Sequence, residues 1–221
     1  MFKELINLFG KANLMKQAFD SSVEMLKTDQ EMFLESIRTL RESDRAELQF
    51  DLYQKDRQIN AYEREVRRKV ITHLAIAGAT ELAMGIRLVS IVIDIERIGD
   101  YTKNIVELAI NHPDRLQFGE FESAVVPIEN RVKTNFETLI KAFEKQDSTL
   151  AREVMGTHKA QVSSVCDTIV TSLVRGESRD LDIKTGAAMV MYLRFIKRIH
   201  SHLKNIATSI VNPVDRIGYS E

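Results

Sequence analysis

The chain has 221 residues, of which 44% are hydrophobic and 29% are charged, with 9 Gly, 3 Pro and 1 Cys. This composition is typical of a folded, non-fibrous protein and excludes collagen-like chains, disordered tails and small disulfide-rich domains. With 31 Lys+Arg against 32 Asp+Glu the formal net charge is -1, so no overall basic field favours direct binding to nucleic acid.

The single cysteine and the charged first residues both argue against a secreted protein. Cys166 has no partner for an intramolecular disulfide, and Lys3 and Glu4 follow the first methionine. The longest apolar runs, such as Ile91-Val92-Ile93, are far shorter than the ~20 residues that span a bilayer. We therefore expect a cytoplasmic protein without a membrane-spanning segment.

Helix is predicted along almost the whole chain, because Gly and Pro are scarce and Leu, Glu, Lys, Arg and Ala are abundant. A first helix is expected to end near Arg41. Asp44 and Glu47 have the spacing of a capping box, which predicts that the second helix begins there. Gly78 is expected to separate the second helix from the third.

The second half of the chain also contains residues that predict helix boundaries. His112-Pro113-Asp114 starts the longest break in the helical pattern, and Pro127 suits the first turn of the next helix. Asp147 has the character of a helix N-cap, and residues 176–180 are typical of a loop between helices. Asn212-Pro213 is expected to end the last helix.

The two halves resemble each other. Glu96-Arg-Ile-Gly-Asp100 and Lys197-Arg-Ile-His-Ser201 stand 101 residues apart, and Lys-Asn-Ile follows at the same distance after each. Because both residues and positions agree, we interpret the chain as a tandem duplication and not as a chance similarity. The predicted fold class is all-α, with six long helices in two tandem three-helix bundles. Residues 1–112 form the first bundle, 113–122 the linker and 123–221 the second bundle.

Acidic and amide side chains fall at matching levels of the second and third helices. Asp56 and Asp100 are each 22 residues from Gly78, and Asn60 and Glu96 are each 18 residues from it. An antiparallel hairpin about that glycine places each pair at one level, and residues four apart share a helix face. Clustered carboxylates repel one another unless a cation, a shared proton or an arginine lies among them.

These side chains, with Glu63 beside them, form a candidate metal site. Oxygen ligands of this kind suit Mg²⁺, Ca²⁺, Mn²⁺ or iron better than a soft metal. The alternative is that Glu96 and Asp100 only form surface salt bridges with basic neighbours, namely Arg57, Arg64, Arg97 or Lys103. The spacing alone leaves both interpretations open.

The second repeat differs, because Lys197 and Ser201 stand where the first repeat has Glu96 and Asp100. No acidic residue occurs from Ile183 to Val214, whereas five basic residues do: Lys184, Arg194, Lys197, Arg198 and Lys204. The carboxylate site therefore cannot be rebuilt there. This basic face is a candidate surface for phosphate or an anionic partner, with a merely solvated face as the alternative.

Three histidines remain in the second repeat, and two of them lie at similar levels about the 176–181 loop. His158 and His200 are the pair at one level, and His202 follows two residues later. A zinc site is disfavoured because no third protein ligand stands beside the pair. Ordinary hydrogen-bonded histidines are the favoured interpretation.

No motif points to catalysis. The sequence contains no Gly-rich phosphate loop, no H-E-x-x-H and no G-x-S-x-G. We therefore predict a protein that is not an enzyme. The less favoured alternative is a metal-dependent hydrolase that uses Asp56, Asn60, Glu96 and Asp100, but no general base or substrate-positioning lysine accompanies them.

Glu96-Arg97-Ile98-Gly99-Asp100, followed by Asn104-Ile105, resembles the PhoU family of phosphate-signalling proteins. The resemblance extends over essentially the whole chain in length, in the two repeats and in the acids and amides from Asp56 to Glu63. It implies two three-helix bundles, frequent homodimers, and E/D-x-x-x-D motifs that bind iron or zinc clusters in some members. From the ligand chemistry and the resemblance together we predict a site for iron, zinc, Mn or Mg, with the first-repeat ligands Glu96, Asp100, Asp56, Asn60 and Glu63.

The resemblance also implies a function. Family members are cytoplasmic negative regulators that contact a phosphate transporter and a sensor histidine kinase, peripheral to the membrane through protein contacts. The residues expected to face a partner are Arg97, Arg194, Lys197 and Arg198. An accessory subunit of a sodium–phosphate or other phosphate carrier is the alternative. The Lys197 to Ser201 segment departs from the acidic family motif, which indicates a single metal site or a specialised partner.

Overall fold

A computed structural model describes residues 11–77, 81–112, 114–178 and 181–219. Within these ranges the chain forms six long helical rods in two three-helix bundles, and no strand occurs in them. The predicted all-α fold with an internal duplication is confirmed. No helix in the described ranges carries an apolar stretch long enough to cross a bilayer.

The first repeat contains helices α1, α2 and α3. Helix α1 spans Lys11–Ile37 and continues as a π-helical turn, Arg38–Glu42, while α2 spans Leu52–Ala77 and α3 spans Leu82–Asn111. The end of α1 near Arg41 is as predicted. Nine residues along one face of α3 are buried: Leu88, Ile91, Val92, Ile95, Ile98, Thr102, Ile105, Val106 and Ala109.

The start of α2 differs from the prediction, because Asp44 lies in a loop and does not cap a helix. Asp51 directly precedes α2 and caps it, since its Oδ1 accepts the backbone N–H of Gln54 at 2.9 Å. The loop is held by α1, where Glu35 Oε1 accepts the backbone N–H of Gln49 at 2.6 Å. This contact with a buried acid of another helix overrides the local capping-box signal.

The second repeat follows a linker that ends in a short 3₁₀ helix, Gly119–Phe121. Its elements are α4, Glu122–Lys145; α5, Ser148–Thr157; a π-helical segment, His158–Ser163; α6, Ser164–Val174; and α7, Ile183–Val211. The segments α5 and α6, joined by the π segment, form one continuous rod, which is the middle helix of this repeat.

Two predicted boundaries in the second half are confirmed and one is wrong. Asp147 caps α5 by accepting two backbone N–H groups, and α7 ends at Val211 with Asn212 as its C-cap. Pro127 lies in the second turn of α4 and not in the first. The helix starts earlier, at Glu122. The carboxylate of Glu122 accepts the backbone N–H of Phe118 at 2.9 Å, and this contact holds the start of the helix against the linker.

Some predicted breaks fall on residues outside the described ranges: Gly78, Pro113 and the pair Arg179-Asp180. The helices on either side agree with those breaks, since α2 ends at Ala77 and α6 ends at Val174. The division into residues 1–112, 113–122 and 123–221 remains a proposal.

The two bundles pack through their first and third helices. Between α1 and α4, the Phe19 and Phe143 rings stack with centroids 4.8 Å apart. Between α3 and α7, the Tyr101 ring stacks on the His202 ring at 5.7 Å. Helix α2 packs against α1 and α3 of its own repeat. The predicted acidic side chains on α2 and α3 therefore lie next to the core of the first bundle.

Candidate functional site

Asp56 of α2 and Asp100 of α3 lie together, as the hairpin register predicts. The Nζ of Lys103 donates to Asp56 Oδ1 at 3.0 Å and to Asp100 Oδ1 at 3.3 Å. One ammonium group therefore bridges carboxylates on two helices. The salt-bridge alternative from the sequence named Lys103 as a partner of Asp100, and the structure adds Asp56 to the same contact.

Glu96 lies one helical turn before Asp100 and is largely buried, with 18% of its side chain exposed. Burial raises the pKa of the Glu96 carboxyl, and the negative charge of Asp100 raises it further, while Arg97 opposes the shift. Glu63 and Asp56 add smaller effects in the same direction as Asp100. The predicted carboxylates are thus near enough to repel one another.

Asp29 of α1 completes this group, and the sequence analysis missed it. The residue is fully buried, and neither carboxylate oxygen has a hydrogen-bond partner within the described residues. Burial raises the pKa of Asp29 well above its usual range, and Glu96, Asp56 and Asp100 raise it further, in that order. We call Asp29, Asp56, Glu96 and Asp100 the acidic cluster.

A sequence signal for Asp29 does exist. The buried residues of α1 around it are Met25, Leu26, Met32 and Phe33. Asp29 lies at the helical spacing of this apolar stripe, so it interrupts a face that otherwise enters the core. A charged residue in such a position is a stronger indication of a site than an acid on a polar face.

Gly99 leaves the room that Asp29 needs. A Cβ added at Gly99 would lie 3.0 Å from Asp29 Oδ1 and 3.1 Å from Ile59 Cδ1. Since real Cβ atoms rarely have neighbours that close, a larger residue would push the α1 carboxylate away from α3. The glycine of the Glu-Arg-Ile-Gly-Asp motif therefore has a packing role beside the two acids.

The remaining predicted residues lie around the cluster. Glu63 pairs with Arg67 at 2.7 Å on the same helix. Arg97 is half-exposed and approaches Asp100 Oδ2 at 3.5 Å. Asn60 is half-buried on α2, and no hydrogen bond within the described residues joins its amide to the acidic cluster. Of the predicted ligands, Asp56 and Asp100 share the Lys103 ammonium, and the charges of Asp100, Glu63 and Asp56 all act on Glu96.

The donor chemistry of the acidic cluster suits a hard cation, because all four side chains are acids and both oxygens of Asp29 lack a partner within the described residues. In this conformation, however, no three His, Cys, Asp or Glu side chains of the described residues are positioned to hold one metal ion. The Lys103 ammonium takes the position between Asp56 and Asp100.

At the corresponding place in the second repeat, the structure has a neutral hydrogen-bonded group. His200 stands where the first repeat has Gly99, and Asn135 of α4 faces it. Asn135 Nδ2 donates to Thr157 Oγ1 at 2.7 Å and to His200 Nε2 at 2.5 Å. The His158 and His200 rings stack with centroids 5.1 Å apart, and their Nδ1 atoms are 2.8 Å apart.

These contacts assign the histidine tautomers. The Thr157 hydroxyl donates to Val154 O, so it accepts from Asn135, whose amide thus points its N–H groups toward Thr157 and His200. His200 Nε2 is then an acceptor, and His200 Nδ1–H donates to His158 Nδ1. Burial, with smaller effects from His158 and Arg131, lowers the pKa of His200 to about 3.

His202 does not join this pair. Its Nδ1 lies 2.6 Å from Asp94 Oδ1 of α3, so it contacts the first repeat instead. With both ring nitrogens of His200 engaged in hydrogen bonds, the arrangement agrees with hydrogen-bonded histidines, the interpretation that the sequence favoured over zinc ligands.

The basic face of α7 is partly paired. Lys197 Nζ lies 2.5 and 2.6 Å from the carboxylate oxygens of Asp167 on α6, a contact that the acid-free sequence of α7 did not indicate. Lys204 Nζ donates to the backbone oxygen of Gly218. Arg194 and Arg198 are exposed and lie one turn apart on one face.

Comparisons with known proteins agree on the family and fold. Both repeats match the PhoU domain family, over residues 23–109 and 127–210. PhoU from Pseudomonas aeruginosa superposes with a TM-score of 0.78 at 24% identity, over 90% of this chain and 95% of that chain. The phosphate transport system regulatory protein PhoU from Streptococcus pneumoniae superposes with a TM-score of 0.70 at 18% identity, over 89% and 91%. No protein of curated function matches the sequence significantly.

Proposed function

The chain belongs to the PhoU family, and from this membership we propose that it is a non-catalytic regulator of phosphate uptake and phosphate-starvation signalling. The observation that supports the proposal is the match of both repeats to one family, together with a fold shared with a protein named as a phosphate transport system regulator. The direction of regulation is repression when phosphate is plentiful.

The regulator acts by contact with a phosphate transporter and a sensor histidine kinase, in the cytoplasm, and forms a homodimer. Arg194 and Arg198 are suited to the partner surface because both are exposed on one face of α7. Arg97 lies at the rim of the acidic cluster, where it approaches both Glu96 and Asp100. Lys197 contributes only if its ion pair with Asp167 opens.

The acidic cluster binds a cation, such as iron, zinc, Mn or Mg. The residues that would hold it are Asp56, Glu96, Asp100 and the buried Asp29, whose oxygens have no other partner in the described residues. A bound cation would supply positive charge at the α2–α3 face, where an anionic group of a partner or phosphate docks. Gly99 keeps α1 close enough for Asp29 to take part.

Deleting the gene tests the regulatory role. We expect starvation-gene expression and phosphate uptake to stay high even in high phosphate, because the repressing contact is lost. A reporter fused to a starvation promoter measures this in high and low phosphate. Complementation with the wild-type gene should restore repression, and Arg194→Glu/Arg198→Glu should not.

The matched control for the charge reversal is Lys141→Glu/Lys145→Glu, a pair with the same spacing at exposed positions of α4. It should repress as the wild type does. Unchanged reporter expression and uptake in the deletion strain at both phosphate levels would refute the proposed function, whatever the variants do.

A further inference from the structure

We propose that Lys103 is a tethered cation that competes with a divalent metal ion for the acidic cluster and so sets the affinity of that site. The inference rests on the proposed cation binding by Asp29, Asp56, Glu96 and Asp100. It concerns a residue that holds no metal itself but occupies the place between two of the ligands.

The position of Lys103 supports direct competition. Its side chain starts on α3, one turn after Asp100, and its ammonium reaches across to Asp56 on α2. The lysine side chain is 22% exposed and Asp56 only 15%, so solvent and salt screen this pair less than a surface ion pair. A metal ion that binds Asp56 and Asp100 must therefore displace the Lys103 ammonium, which is hydrogen-bonded to both carboxylates.

Lys103 leaves part of the acidic cluster without a hydrogen-bond partner. It bonds two of the four carboxylates, while both oxygens of the buried Asp29 have no hydrogen-bond partner in the described residues. The basic group that pairs with Glu96 within the described residues is Arg97, whose Nε lies 3.7 Å from Glu96 Oε2. An ion of higher charge than the ammonium favours exchange, because a dication attracts Asp56 and Asp100 more strongly and can approach Asp29 and Glu96 as well.

The exchange requires little rearrangement of the fold. Lys103 has a flexible four-carbon chain and is partly exposed, so its ammonium reaches water by rotation of its own side chain. The ligands stay on α1, α2 and α3, which also pack against one another through buried apolar side chains such as Met25, Ile59 and Ile95. The cost of the exchange is therefore that of breaking two partly buried charge-assisted hydrogen bonds.

The second repeat provides an internal comparison. Lys204 occupies the same motif position 101 residues later, after a segment whose acids are replaced by Lys197 and Ser201. Its ammonium donates to the backbone oxygen of Gly218 and meets no carboxylate among its hydrogen-bond partners in the described residues. The lysine thus engages carboxylates only where the acidic cluster is present, which confines the competition to the first repeat.

Titration of the metal-free full-length protein with MnCl₂ tests the inference. We expect Lys103→Met to bind Mn²⁺ about tenfold more tightly than the wild type, the scale on which side chains beside metal ligands change affinity. Lys103→Arg keeps the charge and should bind Mn²⁺ with near wild-type affinity. Isothermal titration calorimetry measures all three, and circular dichroism verifies that each variant is folded.

Two controls make the result specific. Lys69→Met removes a lysine of α2 that pairs with Glu65 at 2.5 Å, outside the acidic cluster, and should leave Mn²⁺ affinity unchanged. Adding Asp29→Asn to Lys103→Met should lower the affinity, which shows that the buried carboxylate takes part.

Each outcome has a defined meaning. Equal Mn²⁺ affinity in the wild type and Lys103→Met, with a folded variant, refutes the competition by Lys103 but leaves the cation site standing. Absence of Mn²⁺ binding in both proteins refutes the cation site and the inference with it. Neither outcome bears on the regulatory role, which the deletion strain tests separately.

Discussion

His200 is a single residue whose protonation state is set by its burial. Its side chain is fully buried, and its two ring nitrogens are used by Asn135 and His158. Burial in this setting disfavours the imidazolium, which lowers the pKa of His200 to about 3. Burial also lowers the pKa of His158, and the positive charges of Lys204 and Lys197 lower it further. Both rings are therefore neutral near pH 7.

The stability of the protein should consequently fall in mild acid. The unfolded chain binds a proton at His200 below about pH 6.5, whereas the folded chain does so only near pH 3. Stability from this residue is complete above about pH 6.5 and is lost as the pH falls, by about 1.4 kcal/mol per unit. Urea unfolding between pH 7 and 5 measures the slope.

His200→Gln removes the titrating group, so its unfolding free energy should depend less on pH than that of the wild type over this range. The wild type, unfolded in the same buffers, is the reference. Equal slopes in His200→Gln and the wild type would contradict the neutral, buried histidine.

At the scale of one element, the start of α2 shows why two acids with similar local sequence behave differently. Asp51 accepts the backbone N–H of Gln54, so it satisfies a donor that the first helical turn leaves free. Asp44 instead lies in the preceding loop, 3.5 Å from Arg115 in an exposed ion pair. The helix therefore begins where the loop held by Glu35 allows the backbone to turn.

Replacing the two acids separately tests this assignment. Asp51→Ala should reduce the free energy of unfolding by about 1 kcal/mol, the usual cost of losing an N-cap side chain. Asp44→Ala should change it by less than about 0.5 kcal/mol, because exposed ion pairs contribute little. Urea denaturation of both variants provides the comparison. A larger loss for Asp44→Ala would restore the capping-box interpretation.

At the scale of the whole molecule, Arg41 joins the two repeats. Its guanidinium donates to Glu129 of α4 at 2.8 Å, and also to Glu122 and to the backbone oxygen of Leu116 in the linker. It lies over the Phe118 ring at 4.9 Å. Tyr192 of α7 donates to the same Glu129 oxygen at 2.5 Å. The end of α1, the linker and two helices of the second repeat thus share one buried polar network.

Removing Arg41 should strongly destabilise the folded protein. Arg41→Met leaves the buried Glu129 without its counter-ion, which costs about 3–5 kcal/mol. Arg41→Met/Glu129→Gln should recover part of that loss, because the uncompensated charge is gone. Arg57→Met, which removes an exposed arginine 3.9 Å from Asp51, is the control and should have little effect. Urea unfolding measures all three, and an unchanged stability in Arg41→Met would show that the network is not needed.

Much of the candidate site could be predicted from sequence, because its register is local. Helix periodicity puts Glu96 and Asp100 on one face, and equal distances from Gly78 set Asp56 beside Asp100. Asp29 was missed because it lies on α1. The spacing argument used only α2 and α3, so it could not show which side chain of a third helix lies beside their acids. Lys103 was one of four basic residues named as possible salt-bridge partners of the acids. Only the packing of the helices showed that Lys103 is the residue that joins Asp56 to Asp100.

The sequence by itself determined the helices, the duplication, the family resemblance and the level of the acids on α2 and α3. These features depend on 3.6-residue periodicity, turn residues and repeated motifs, which act between neighbours along the chain. Only the tertiary structure decided that Asp29 faces Gly99, that Lys103 joins Asp56 to Asp100, and that His202 contacts Asp94 and not His200. These contacts depend on how separate helices pack, and the physical reason is that burial, and not sequence spacing, fixes which polar side chains must meet.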